Sequence, residues 1–430
     1  VPKGGFGRPK GDLKFLPKKT SLGEGAPIPD SPGFIDPRFA KAPISLIGLY
    51  NAIYGPQGEG FPNHLLPVAS ALLDTRIQKL MLICGPGSGK ALLNGTKVLC
   101  DDGWKAIETI QVNDNVILPD GVSKSKVLAV LPQKESKLFE INFADGRQVV
   151  ANKEHLWEVF VGYSKEPEVL STENLISKLE KKQRIKIPLP EPINCFDYNA
   201  QNISGYGWGA VKASGYFVKD YQCIIENSDP NFIKYFLNTN EEGIFKKQIS
   251  SGIFVSWDSE KEVFFDNSES WRKDFVAGFL DSCKTVTDGT GVKVFHDKQN
   301  KLQTLQEVFW SLGCYAKLEQ NYLHIKPHFN PFRIPRKVSN FKSKYKLSHS
   351  DHKLAIISIK ERTNVDKSTC ICIEDPRGLY ICDNYIVTHN SRLLLGLFPC
   401  WMLGVDPSSS FIAVSASEGL PITFMRAIMQ

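Results

Sequence analysis

Leu80-Met81-Leu82-Ile83-Cys84-Gly85-Pro86-Gly87-Ser88-Gly89-Lys90 is a short apolar run entering a Gly-rich turn that ends on a lysine. Such a turn cradles phosphates with its backbone N–H groups when the lysine is followed by Ser or Thr and then by a helix. Here Lys90 is followed by Ala91, and the pattern stops. Its missing half stands far downstream, where Thr388-His389-Asn390 leads into Ser391-Arg392-Leu393-Leu394-Leu395-Gly396-Leu397. Joining Lys90 to Ser391 restores Gly-Pro-Gly-Ser-Gly-Lys-Ser with an amphipathic helix behind it. Residues 91–390, 300 in number (390 − 91 + 1), therefore read as an insertion, and 1–90 and 391–430 as two pieces of one interrupted α/β unit.

The 430 residues predict several domains, and 42% hydrophobic with 23% charged residues is ordinary for globular chains. A net charge of +6 permits a nucleic-acid partner without arguing for one. The ten Cys show no paired metal spacing, Cys370-x-Cys372 being a poor zinc signal. A reducing cytoplasm is the expected compartment, and no apolar run is long enough for a membrane span. The chain starts at Val1 and stops at Gln430 in mid-pattern, so a fragment of a longer protein is expected.

Residues 1–40 are rich in Pro, Gly and Lys and predict an extended arm. Residues 41–78 have helical apolar spacing, and Leu80–Cys84 predicts a short buried strand. After Ala91 short apolar runs alternate with turns: Thr96–Cys100, Asn115–Leu118, Lys126–Leu131, Leu138–Phe143 and Val149–Val150, with Asp102-Gly103, Asp120-Gly121 and Asp145-Gly146 as punctuation. This predicts an all-β unit over 91–195. Residues 196–340 shift to mixed α/β, with helical patterns at Trp271–Leu280 and Leu302–Leu312. β character returns over 341–390, at Ala355–Lys360, Thr369–Ile373, Leu379–Cys382 and Tyr385–Val387. Two β halves thus bracket a second insertion. A helix to about Leu403 and a strand at Phe411–Ser415 are expected after Ser391, restoring the order of a parallel α/β sheet.

Gly95-Thr96-x-Val98, Asp102-Gly103-Trp104-x-x-Ile107 and Val112-x-Asp114-x-Val116 resemble the opening of inteins, and Tyr385-Ile386-Val387-Thr388-His389-Asn390 before Ser391 resembles their close. The resemblance implies a Hint-type splicing fold that excises 91–390 and ligates the flanks, which are its own substrate, with no cofactor. Asn390 would cyclise onto its own carbonyl carbon, His389 would assist that cleavage, and Ser391 would carry the N-terminal flank before release. Most inteins begin with Cys or Ser. Ala91 departs from that and is similar to class 3 inteins, which use an internal Cys accompanied by a Trp and a Thr. On that resemblance Cys372 is the expected nucleophile toward the Lys90 carbonyl, His155 assists the first cleavage, and Trp157 and Thr388 position or activate Cys372. Asn152 stands where the family usually has Thr. Cys370 and Cys382 are expected to be packing residues.

Trp271–Cys283 resembles the helix of LAGLIDADG homing endonucleases, and Ser204–Phe217 resembles a decayed first copy. In that family small residues let the two helices pack closely and an acid at each helix end holds a divalent metal. The acid positions read Ser214 and Cys283, which are poor Mg²⁺ ligands, so loss of nuclease activity is implied. Asp281 is a remaining candidate. With the chemistry confined to the β halves, deleting roughly 200–338 is expected to leave splicing possible.

The healed loop, with Cys84 in place of its usual first Gly, resembles the large terminase subunits of tailed phages, ATPases that pump DNA into capsids. The implied cofactors are ATP and Mg, with Gly85, Gly87, Ser88, Gly89 and Lys90 on the phosphates and Ser391 on the metal. The implied partners are DNA and the phage packaging machinery, in the cytoplasm of the phage's host cell, with no membrane. The alternative is an inert domain inserted in a helicase-like or other P-loop ATPase.

Overall fold

A computed structural model of the chain describes residues 91–194, 204–219, 222–239, 244–257, 268–345, 352–375 and 377–389. The phosphate loop, both flanks, Lys90, Asn390 and Ser391 lie outside the described residues, as do the helix over 41–78, the strand Leu80–Cys84 and the elements expected after Ser391.

Alternating apolar residues and Asp-Gly turns build the first unit: β1 (Leu92–Leu93), β2 (Lys97–Cys100), β3 (Gly103–Ala106), β4 (Asn115–Ile117), β5 (Lys124–Phe143), β6 (Gln148–Ala151), β7 (Leu156–Val161), β8 (Glu168–Ser171), α1 (Thr172–Glu180) and β9 (Ile185–Pro188). Gly103 and Gly146 turn the chain at φ +118° and +89°, a region an L side chain avoids.

The chain then runs twice through one pattern of helix, two strands, helix, two strands. The first pass is α2 (Gly205–Ser214), β10 (Gly215–Lys219), β11 (Gln222–Glu226), α3 (Pro230–Asn238), β12 (Ile244–Ile249) and β13 (Gly252–Trp257). The second is α4 (Glu269–Ser282), β14 (Lys284–Asp288), β15 (Gly291–Phe295), α5 (Gln299–Ser311), β16 (Tyr315–Leu318) and β17 (Tyr322–Lys326), closed by α6 (Pro335–Lys344). Each pass makes its own four-stranded sheet with the same topology, β10-β11-β13-β12 and β14-β15-β17-β16. Between them α2 and α4 pack backbone to backbone. A Cβ on Gly209 would collide with the Phe275 carbonyl, and one on Gly278 with the Tyr206 carbonyl.

Finally β18 (Lys353–Ile373), β19 (Leu379–Cys382) and β20 (Ile386–His389) rejoin the first sheet, whose order is β20-β19-β2-β4-β5-β6-β1-β18-β9-β7-β8. β1 lies between β6 and β18, and β19 between β2 and β20, so segments from either side of the middle unit interleave. Its core (Val98, Val116, Ile141, Trp157, Ile371, Tyr380) is separate from that of the middle unit (Phe232, Phe275, Phe279, Phe309).

Two details differ from the sequence reading. The paired runs within 126–143 and 355–373 are each one long strand, β5 and β18, bonded to each other through charged stretches such as Lys137 and Glu361. Their two-stranded ribbon keeps pairing where side chains are solvated, so hydrophobic alternation gives no signal there. Tyr385, expected in a strand, instead ends a 3-10 turn, Asp383–Tyr385, with φ +57° at Asn384 and +59° at Tyr385.

Candidate functional site

β1 holds Ala91 fully buried in the sheet. The Ala91 N–H donates to Asn152 Oδ1 at 3.1 Å, and the Asn152 N–H donates back to the Ala91 carbonyl at 3.0 Å. That Ala91 N–H belongs to the peptide bond joining Lys90 to Ala91, where the insertion is expected to begin. On the other side β1 pairs antiparallel with β18, Leu92 with Thr369 and Leu93 with Ser368, and the Asn94 N–H continues the ladder to the Lys367 carbonyl at 3.0 Å. Extended by one residue beyond β1, this register would set Ala91 opposite Cys370. Cys372 stands two residues further on, opposite Ala129 of β5. Cys370 is buried and Cys372 half-buried.

Asn152-Lys153-Glu154-His155 forms a turn closed by the His155 N–H donating to the Asn152 carbonyl at 3.2 Å. It aims a fully buried imidazole at β20, where His155 Nε2 lies 2.6 Å from Thr388 Oγ1. The His155 ring packs on Trp157, centroids 4.7 Å apart, because residues two apart on an extended strand share a face. Trp157 is fully buried, and its Nε1–H donates to Thr172 Oγ1 at 3.0 Å; Thr172 Oγ1 donates in turn to the His155 carbonyl at 3.3 Å. Trp157 is thus a wall behind the imidazole. Thr172, which the sequence reading missed, completes that support; its only signal is Ser171-Thr172 at a helix start.

β-branched Ile386-Val387-Thr388 favour the strand that carries Thr388 and His389, both buried. Thr388 pairs with Tyr380 and His389 with Leu379. Ala91 and Thr388, near the two ends of the expected insertion 91–390, are thus held by one turn, Ala91 through Asn152 and Thr388 through His155. Burial pushes the Cys100 thiol up to about 12 and the Cys382 thiol well above the usual range.

Asn152→Ala removes the acceptor for the Ala91 N–H. On the expectation that the Lys90–Ala91 bond is cleaved, losing a hydrogen bond worth about 1 kcal/mol lowers that rate roughly fivefold. Quenched time courses of that cleavage measure it.

The middle unit has different chemistry at the helix ends. Ser214 Oγ donates to the Ser282 carbonyl at 3.3 Å, and burial pushes the Cys283 thiol up to about 12. Asp281 is buried, and its Oδ2 accepts from Tyr206 Oη at 3.1 Å and from the Arg333 and Ile334 N–H groups at 2.9 and 3.1 Å. It organises the entry into α6. The C-terminus of α4 is closed by Lys337, whose Nζ donates to the carbonyls of Leu280, Asp281 and Cys283 at 2.6, 3.1 and 2.9 Å. The end of α2 is closed likewise by Lys301 Nζ on the Ala213 carbonyl at 2.7 Å. An ammonium complements each negative helix end. Among the described residues no group of three or more His, Cys, Asp or Glu is placed to hold a metal ion, and no helix is long and apolar enough to cross a membrane.

No family model matches the chain. The replicative DNA helicase DnaB of Mycobacterium leprae (strain TN) is 31% identical over 85 residues, 20% of this chain and 14% of the helicase. Among solved structures, the gp41-1 intein is 30% identical over 20% of this chain and 77% of its own, with a TM-score of 0.16. The Msm DnaB1 intein splicing domain bound with zinc is 12% identical over 70% of this chain and all of its own, TM-score 0.25. A DnaB intein from Synechocystis sp. PCC 6803 is 9% identical over 70% and 99%, TM-score 0.26. These solved neighbours are inteins by name.

Proposed function

We propose that residues 91–390 are an intein that excises itself and joins Lys90 to Ser391. The observation that supports this is the interleaved sheet, in which the single turn Asn152–His155 holds Ala91 through Asn152 and Thr388, two residues before Asn390, through the buried His155 imidazole. Ala91 has no nucleophile, so the first attack comes from within. The β1–β18 register favours Cys370 for it over Cys372. Cys370 thiolate attacks the Lys90 carbonyl carbon, the bond to the Ala91 nitrogen breaks, and the leaving amine takes a proton from His155. Thr388 orients His155, and Trp157 backs it. Ser391 Oγ then attacks the thioester and releases Cys370. The Asn390 side-chain nitrogen attacks its own carbonyl carbon, His389 protonating the departing Ser391 amine. That amine attacks the ester to leave a Lys90–Ser391 peptide.

An Asn390→Ala chain tests this, because it can be acylated on Ser391 but cannot release it. A branched species should accumulate and be split by hydroxylamine. Its absence in a folded chain contradicts the reading.

The repeated topology and the glycine-mediated α2–α4 contact support a LAGLIDADG-like origin for 196–340, between splicing halves 91–195 and 341–390. Lys301 and Lys337 support lost nuclease activity, since an ammonium closes each helix end where an acid would hold Mg²⁺. DNA carrying the uninterrupted gene should stay uncut by the chain in Mg²⁺; site-specific cutting, read on a gel, overturns this. The healed loop, with ATP on Gly85, Gly87, Ser88, Gly89 and Lys90 and Mg on Ser391, supports a P-loop ATPase host, with DNA and a phage packaging machinery as partners if it is a terminase. A helicase-like or other P-loop ATPase host is the second reading.

A further inference from the structure

Arg147 is a fully buried cation that the splicing steps do not use. It follows the Gly146 turn between β5 and β6, and its Nε–H donates to Asp145 Oδ2 at 3.0 Å. The rest of the guanidinium leaves that hairpin. Nη1 donates to the carbonyls of Asn384 and Tyr385 at 3.0 and 3.1 Å. Nη2 donates to the Cys314 carbonyl at 3.1 Å, and the guanidinium carbon lies 4.9 Å from the centroid of the Trp310 ring. One side chain thus ties the β5–β6 turn, the α5–β16 corner of the middle unit and the turn that feeds β20.

That last turn is strained. Asn384 and Tyr385 are consecutive left-handed residues, and a bulky aromatic side chain disfavours this region. Such a conformation persists only where its surroundings hold it. The carbonyls gripped by Nη1 are those of these two residues. The next residue starts β20, which carries Thr388 and His389 to the C-terminal junction. The middle unit shares in the grip through Trp310 and Cys314, through Gln306 Nε2 donating to the Asp145 carbonyl at 3.5 Å, and through Tyr315 Oη donating to the Ala144 carbonyl at 3.3 Å. Tyr385 itself packs against the core of the middle unit and edge-on to Trp104, centroids 5.2 Å apart. Burial pushes Arg147 down and Asp145 up, and each charge opposes the other's shift. A buried ion of this kind is tolerated only with its full set of partners.

We propose that Arg147 is a positioning residue for the C-terminal cleavage, and that the middle unit sets it through Trp310 and Cys314. The middle unit is then a working part of the splicing element, which amends the expectation that removing 200–338 spares splicing. This rests on the splicing reading. If the parent chain does not splice, that reading fails; the present inference is tested by how substitutions divide between the two cleavages of a chain that does.

The experiment follows cleavage at Lys90–Ala91 and at Asn390–Ser391 separately in the full chain, for the parent, Arg147→Met, Arg147→Lys and Trp310→Leu. Arg147→Met should slow the C-terminal cleavage about ten- to a hundredfold, the size expected for losing charge-assisted hydrogen bonds. The N-terminal cleavage should stay within about twofold, so that branched intermediate accumulates. Arg147→Lys should recover part of the rate, since it restores the charge but not the fork. Trp310→Leu, from the middle unit, should slow the same cleavage severalfold. Equal slowing of both cleavages in Trp310→Leu and Arg147→Lys, or an unchanged C-terminal rate in Arg147→Met, overturns the proposal.

Discussion

Cys370→Ala is expected to leave the Lys90–Ala91 bond intact, while Cys372→Ala cuts it at close to the parental rate. The expectation follows from the ladder that pairs Leu92 with Thr369. Continuing it by one residue puts Cys370 across from Ala91 and leaves Cys372 past the start of β1. Removing a sole nucleophile costs at least about a thousandfold. Thioester formation is read by dithiothreitol-induced release of the N-terminal flank. An active Cys370→Ala chain beside an inactive Cys372→Ala chain would return the role to Cys372.

The second large effect is expected in the middle unit. Gly278→Val places a branched side chain where α4 meets the Tyr206 carbonyl of α2. The obstacle is backbone, so no rotamer relieves it and the helices must separate. Forced overpacking of this kind costs about 3 kcal/mol, and the midpoint of urea unfolding should fall accordingly. Gly289→Ala, at a turn where a Cβ meets nothing within 4 Å, is the control and should leave the midpoint unchanged. A Gly278→Val chain as stable as the parent contradicts the helix contact. If Trp310 and Cys314 act through Arg147, the same substitution also slows C-terminal cleavage.

The elements legible in the sequence were those with strong local signals. The Asp-Gly turns, the strands at Thr96–Cys100 and Leu379–Cys382, and the helix around Trp271–Leu280 follow from turn chemistry and apolar spacing. The ribbon of β5 and β18 was not legible as one piece, because its middle is polar on both faces and is defined only by pairing. Cys370 looked like a packing residue for a related reason: which of two cysteines, two apart on one strand face, meets Ala91 is a matter of register, and register is set by partners elsewhere in the chain. Asn152, a departure from the family pattern, takes its meaning from the Ala91 amide it holds. Arg147 had no legible role at all, since its partners lie 167 and 237 residues away.

The most direct measurement of the central claim is the intact mass of the products after expression of the full chain, with fragment sequencing across the new junction. The account predicts an excised chain of residues 91–390 ending in a succinimide or its hydrolysis product, and a second chain in which Lys90 is followed by Ser391. A single uncut chain of 430 residues, or separate pieces with no Lys90–Ser391 peptide, would contradict it.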